Sequence, residues 1–264
     1  MLRYKEKESF EARFAQTEGA VERWREHIPK VSEALRREFD KRLQISLIFH
    51  DSALEGDVLT YSEIKAAVDP SIISDTSLIP SYENIKRYHE ACEFSDQFAA
   101  NKKKLFKLET LRELYAMLAP EDVEAGLPYR KENPLHRLYY HDIAQPEDIA
   151  QAMRKLGKWL EDPDTRSYHP IERVALTHFK IMEIFPWAKQ SGRVARIASN
   201  LLLRQAGYPI AVIHSIDRQT YYEALRNDHK ELLLLYLEAV ETAALSEVHF
   251  YEEAGRAPRR RRRA

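Results

Sequence analysis

The most chemically pointed residues lie in FPWAKQSGR, residues 185–193, where a loop runs into a helix start at Ser191-Gly192. The first turn of a helix leaves backbone N–H groups unpaired, and the macrodipole favours negative charge there. Such a turn suits an anion. Arg193 and Arg196 share one face of that turn, so both guanidiniums can serve a single phosphate or carboxylate. Lys189 adds positive charge in the loop, so Lys189, Ser191, Gly192, Arg193 and Arg196 form the candidate nucleotide- or anion-binding set. Other chemistry is sparse. There is no Ser-His-Asp order around a nucleophile turn, no Gly-rich phosphate loop and no zinc pattern. His178 falls on an apolar helix face and reads as a core residue, while His214 and His229 stand at no metal-ligand spacing. Cys92, the single cysteine, excludes an internal disulfide and a cysteine metal cluster.

The elements that must position this set are helical. Of 264 residues only 7 are Gly, and the wealth of Ala, Leu, Glu, Lys and Arg favours a mainly α fold. Periodicity predicts two helices before residue 50, the second carrying apolar positions on through Leu47, Ile48, Ala53 and Leu54 to a stop at Gly56. Thr60 and Glu63 form a capping-box pattern that restarts a helix at Tyr61. After a loop-like stretch at 70–80, helices are predicted over 84–101 and 105–118. The texture changes between Gly126 and Pro146, where two short arms suggest a β-hairpin. Helix resumes over 147–161. A central pair follows: Ile171, Val174, His178 and Ile181 on one helix, Val194, Ile197, Ala198 and Leu201 on the next. Residues 219–244 close the bundle with one or two helices.

Composition bounds the function classes. The net charge is −1, yet Arg256 and Arg259–Arg263 supply six positive charges, and without them 35 basic residues face 42 acidic ones. The body is mildly acidic, and residues 255–264 read as a disordered Arg-rich tail that offers a contact to nucleic acid or an acidic surface. No apolar run approaches the roughly 18 residues of a membrane span. The opening MLRYKEKESFEARF is too charged for a secretory leader, and a cytoplasmic protein is expected.

The stretch HPIERVALTHFKIMEIFPWAKQSGRVARIASNLLLRQAGYPI resembles the core of Fic (Fic/Doc) domain proteins, which carry His-Pro-Phe-x-Asp/Glu-Gly-Asn-Gly-Arg-x-x-Arg between two long helices. YYHDIAQPEDIAQAMRKLGKWLEDP resembles the family's flap and following helix, and DRQTYYEAL its closing helix. Upstream, DSALEG is similar to the inhibitory-helix motif Ser/Thr-x-x-x-Glu-Gly/Asn. The resemblance implies a Fic-type helical bundle with a small hairpin flap. It divides the chain into an N-terminal helical region at 1–104, with the inhibitory-type helix at about 42–56, and a Fic core at 105–245. It also implies ATP or another nucleotide as ligand, a protein target, and a homodimer as one assembly.

The same resemblance marks where this sequence departs. Phe185 stands at the general-base His, and a phenyl ring accepts no proton. Lys189 stands at the Mg²⁺-binding carboxylate, so Mg²⁺ is not expected. Gln190 and Ser191 replace Gly and Asn, whereas Pro186, Gly192, Arg193 and Arg196 match, and Trp187 keeps the loop's aromatic. Glu55 is implied to pair with Arg196. Asp51 takes the usual Ser/Thr position. Two readings stay open on these residues: a pseudoenzyme with a regulatory or binding role and no catalytic residue, or an adenylyltransferase or related phosphate-ester transferase with non-standard residues, auto-inhibited by Glu55. A binder of nucleic acid acting through residues 256–263 is a third.

Overall fold

A computed structural model describes residues 10–69, 71–72, 81–126, 129–134 and 141–256. Its helices are α1 (Phe10–His27), α2 (Glu33–Glu55), α3 (Tyr61–Val68), α4 (Tyr82–Ala100), α5 (Leu108–Leu118), α6 (Pro120–Glu124), α7 (Ile149–Glu161), α8 (Pro170–Ile184), α9 (Ser191–Gln205), α10 (Arg218–Asn227) and α11 (His229–Arg256). Among the described residues there is no strand, and the mainly α expectation is met. The LHRLYY arm of the expected hairpin lies at 135–140, outside the described residues, and its flanks at 129–134 and 141–145 are irregular.

Helix α9 is the axis of the fold. Every residue from Ser191 to Leu203 is buried, as expected of a helix surrounded on all sides. It packs against α4, α5 and α8, while α8 and α1 pack along α11. Helix α2 rests on α4, on the 3₁₀ turn Ser215–Asp217 and on α11.

Local chemistry sets the ends of the elements that matter for the site. Ser32 caps α2 by accepting from Leu35 N–H, and Gly56 ends it in the left-handed region at φ 96°, a conformation glycine adopts without steric cost. Thr60 and Glu63 form the full capping box of α3. Pro170 occupies the first turn of α8, where its missing N–H costs nothing, and His169 Nδ1 accepts from Ile171 N–H.

Helix α11 runs past residue 244 to Arg256, into the segment whose composition suggested a tail. Its partner is α1, which local periodicity does not reveal. Trp24 Nε1 donates to Glu247 at 2.6 Å, Arg13 pairs with Glu241 at 2.8 Å, and Thr17 Oγ1 donates to the Leu237 carbonyl at 3.3 Å. Residues 257–264 lie outside the described residues. No helix among the described residues is long and apolar enough to cross a membrane.

Candidate functional site

Positions 51 and 55 are one turn apart on α2, and 193 and 196 nearly one turn apart on α9, so each pair points from one helix face. These faces meet. Asp51 accepts from Arg193 Nε at 2.9 Å and from Arg196 Nε at 2.5 Å, bridging both guanidiniums. Glu55 Oε1 accepts from Arg196 Nη2 at 2.7 Å. Asp57, just beyond the Gly56 cap, accepts from Arg193 Nη2 at 2.7 Å. Gln190 Oε1 takes Arg193 Nη1 at 3.2 Å. Asp51 is 3% exposed and both arginines 6%. Burial pulls the Arg196 guanidinium down, but Asp51 and then Glu55 outweigh it, and the balance lies well above the ordinary arginine value. Both arginines stay charged.

Gly192 shows how closely the helices approach. A Cβ there would stand 2.5 Å from Glu55 Oε1 and 2.9 Å from Arg196 Nη1. Glycine is needed for room, not for a left-handed backbone. The Glu55 carboxylate therefore occupies the place beside the α9 N-terminus where an external anion would sit. The cavity touching Arg196 and Asp51 measures about 10 Å³, about one water.

The other candidates are arranged differently. Ser191 is fully buried and turned inward: its hydroxyl donates to the Trp187 carbonyl at 2.8 Å and accepts from Trp187 N–H at 3.0 Å. Lys189 is exposed on the loop. The site thus brings together Glu55, Gly192, Arg193 and Arg196, with Lys189 and the Ser191 side chain outside the cluster. The loop itself is firmly held. Trp187 stacks on Tyr115 at 4.4 Å and 10°. Gln190 has φ 67°, so the residue at the family's glycine position keeps a glycine-like backbone.

Phe185 is 1% exposed and ends α8 at φ 45°, a left-handed conformation that is strained for a bulky side chain. Arg130 holds it there. Its Nε donates to the Phe185 carbonyl at 2.7 Å, its backbone N–H to the Pro186 carbonyl at 2.9 Å, and its Nη2 to the Ala144 carbonyl. A guanidinium at a helix C-terminus also complements the helix dipole. Asn133 donates to Gln145 at 2.9 Å, so the two flanks of segment 135–140 are joined beside the loop.

His178 is fully buried. Its ring nitrogens contact Ser199 Oγ (3.2 Å), Tyr236 OH (2.7 Å) and Tyr221 OH (2.9 Å). Burial, then Arg196, push its pKa well down, so it is a neutral core imidazole. Among the described residues no group of three or more His, Cys, Asp or Glu is arranged to hold a metal ion. The residues present do not fit a divalent cation here: Asp51, Glu55 and Asp57 are each ion-paired with a guanidinium, and Lys189 brings a like charge.

Helix α2, whose Asp51 and Glu55 clamp the two arginines of α9, is also docked through His50. Ser215 N–H donates to His50 Nδ1 at 3.2 Å, which places the ring proton on Nε2, 3.1 Å from His214 Nδ1. Burial and then His214 lower the His50 pKa from 6.5, against Asp217, which raises it. A lowered histidine pKa means that the docked state prefers the neutral ring. Its contribution is full above about pH 6.5 and fades as pH falls through the lowered value. We expect wild type to melt above His50→Gln at pH 7.5, with the gap shrinking towards pH 5. A gap that widens on acidification would contradict this docking chemistry.

Sequence reasoning read Asp51 as a departure from a motif and passed over Asp57, Arg130 and Tyr221. The carboxylate spacing 51, 55 was a usable signal. Arg130, in an irregular segment, gave none.

Residues 105–203 match the Fic/DOC family. The chain is 29% identical over 200 residues to the protein adenylyltransferase Fic of Nematostella vectensis, covering 75% of this chain and 46% of that protein. It is 26% identical over 196 residues to the protein of the same name from Aedes aegypti, covering 73% and 38%. It thus spans less than half the length of these curated relatives. A Fic domain-containing signaling protein from Bacteroides thetaiotaomicron shares the fold, with a TM-score of 0.78 and 20% identity, over 90% of this chain and 98% of that one. Residues 105–203 thus match the Fic/DOC family model, and the helical architecture around α8 and α9 is the fold that the Fic domain-containing structure shares.

Proposed function

We propose that this chain is a Fic-fold regulatory or binding protein in which transfer of AMP from ATP to a protein hydroxyl is impaired. One observation carries the reading: the position that the resemblance assigns to the general base is Phe185, a buried ring with no proton acceptor. General-base catalysis is worth about 10² to 10⁴ in rate, or about 3 to 5 kcal/mol of barrier. The ion-paired carboxylates and the exposed Lys189 support a site that works without Mg²⁺. Any nucleotide would meet Arg193 and Arg196 only after the end of α2 withdraws, because Glu55 fills the anion place.

That last point favours a second reading, an adenylyltransferase or related phosphate-ester transferase gated by the clamp. Radiolabelled ATP incubated with the protein and a lysate separates the two. The first reading expects no labelled protein from wild type or from Glu55→Gly. Labelling by Glu55→Gly that is abolished by Arg193→Ala would overturn it. Calorimetric titration with ATP and ADP should show weak binding that is indifferent to Mg²⁺, and tight Mg²⁺-dependent binding would contradict the Lys189 argument.

A further inference from the structure

A cavity of about 120 Å³ lies between α2, α4 and α9. That is far more than one water needs and close to the ~150 Å³ that holds a benzene-sized molecule. Its two ends differ. The ionic side chains stand at the mouth: Asp40 is exposed, Asp96 is 37% exposed, and Arg204 pairs with Asp96 at 3.0 Å. Arg36 and Arg204 both face Asp40. Carboxylates and guanidiniums oppose one another there within reach of water, so the mouth selects neither sign of charge.

Deeper in, the lining is neutral. Ser95 on α4 is 3% exposed, and its hydroxyl finds no hydrogen-bond partner among the described residues. Asn200 on α9 is 8% exposed; Ala211 N–H donates to its carbonyl oxygen at 2.9 Å, and its amide N–H groups find no acceptor among the described residues. Half-buried Gln44 on α2 brings a further amide, and Leu43, Leu47 and Ile197 supply apolar wall. Leu47 and Asn200 also wall the one-water cavity beside Asp51 and Arg196, so the two spaces adjoin.

Buried polar groups ordinarily find a partner, and the unmet ones here define the occupant. Asn200 N–H calls for an acceptor oxygen and Ser95 for a donor or an acceptor; a hydroxyl is both. An ammonium offers no acceptor. An anion carried to the inner end loses its hydration with no counter-charge beside it, and a hydrocarbon leaves Ser95 and Asn200 unpaired. We propose that this cavity binds a small neutral alkyl diol. One hydroxyl oxygen accepts from Asn200 Nδ2–H, a hydroxyl bonds Ser95 Oγ, and the carbon chain lies against Leu43, Leu47 and Ile197.

The test uses the full chain and three probes of similar size at constant ionic strength: butane-1,2-diol, sodium butyrate and n-butylammonium chloride. Amide chemical shifts on α2, α4 and α9 around the cavity should move saturably with the diol, and at lower concentration than with either ion. Ser95→Ala should weaken diol binding about fivefold, the worth of one hydrogen bond between neutral groups. The same variant without ligand should melt no lower than wild type, because the hydroxyl it removes has no partner to lose. Asn200→Asp keeps the oxygen that Ala211 N–H needs but removes the amide donors, and it should weaken the diol at least as much. Equal or tighter binding of either ion overturns the proposal, as does undiminished diol binding by either variant. A lower melting temperature for Ser95→Ala overturns it too, since the hydroxyl then serves the fold. So does the absence of any saturable shift, which means the cavity holds water alone. The readout involves no nucleotide, so its outcome is independent of the transferase question.

Discussion

Replacing Asp51 with alanine should lower the unfolding free energy by about 3–5 kcal/mol, because it removes the two charge-assisted bonds of the carboxylate that both buried guanidiniums share and leaves Arg193 with Asp57 and Arg196 with Glu55. For a chain of this size that is a fall in melting temperature of roughly 10 °C. Asp51 alone touches both Arg193 and Arg196, and it is almost wholly buried. Glu55 touches Arg196 only at Nη2, and its side chain is 15% exposed. Glu55→Gln should therefore cost less, about 1–2 kcal/mol, since Asp51 still neutralises the guanidinium and water reaches the amide. Thermal or urea denaturation of the two variants ranks them. If Glu55→Gln proves the more damaging, the clamp hangs on Glu55 and Asp51 is secondary. The ranking also bears on function. Breaking the Glu55 contact alone leaves both arginines bonded to Asp51, so loss of Glu55 frees one edge of Arg196 and no more.

This division of labour was only half legible in the sequence. Helices α8 and α9 follow from apolar residues at helical spacing, and a capping pattern announced α3, because those signals are local. Arg193, Arg196 and Glu55 were legible through motif resemblance. Asp51 was not given its weight because its partners lie more than 140 residues away, and only the docking of α2 on α9 turns a motif departure into a bridge. The same holds for Arg130, whose bonds go to carbonyls at Ala144 and Phe185. Backbone acceptors leave no trace in sequence. The end of α11 was missed because its stability comes from α1, at the other end of the chain. The expectation for Ser191 suffered from the opposite fault: a serine at a helix start suits an anion, yet the tight loop uses its hydroxyl to close on Trp187.

Phe185→His in a Glu55→Gly background should raise protein labelling by ATP about 10²- to 10⁴-fold over Glu55→Gly alone, if the missing base is what silences transfer. The backbone at this position is unusually fixed. Residue 185 closes α8 in a left-handed turn, and Arg130 grips its carbonyl, so a new side chain leaves the same point. Imidazole is smaller than the phenyl ring it replaces and fits the same pocket. Burial disfavours its charged form and keeps it neutral, the state a base needs. The cost is a polar ring in an apolar place, about 1–3 kcal/mol, which circular dichroism and melting would reveal. Lys189→Asp added to this pair should bring in Mg²⁺ dependence, since it exchanges an ammonium for a carboxylate on the exposed loop. Arg193→Ala should erase the gain in every background, because the phosphate then loses its first guanidinium. If Glu55→Gly alone labels protein as fast as the double variant, Phe185 does not limit transfer, and another group on this scaffold must take the proton.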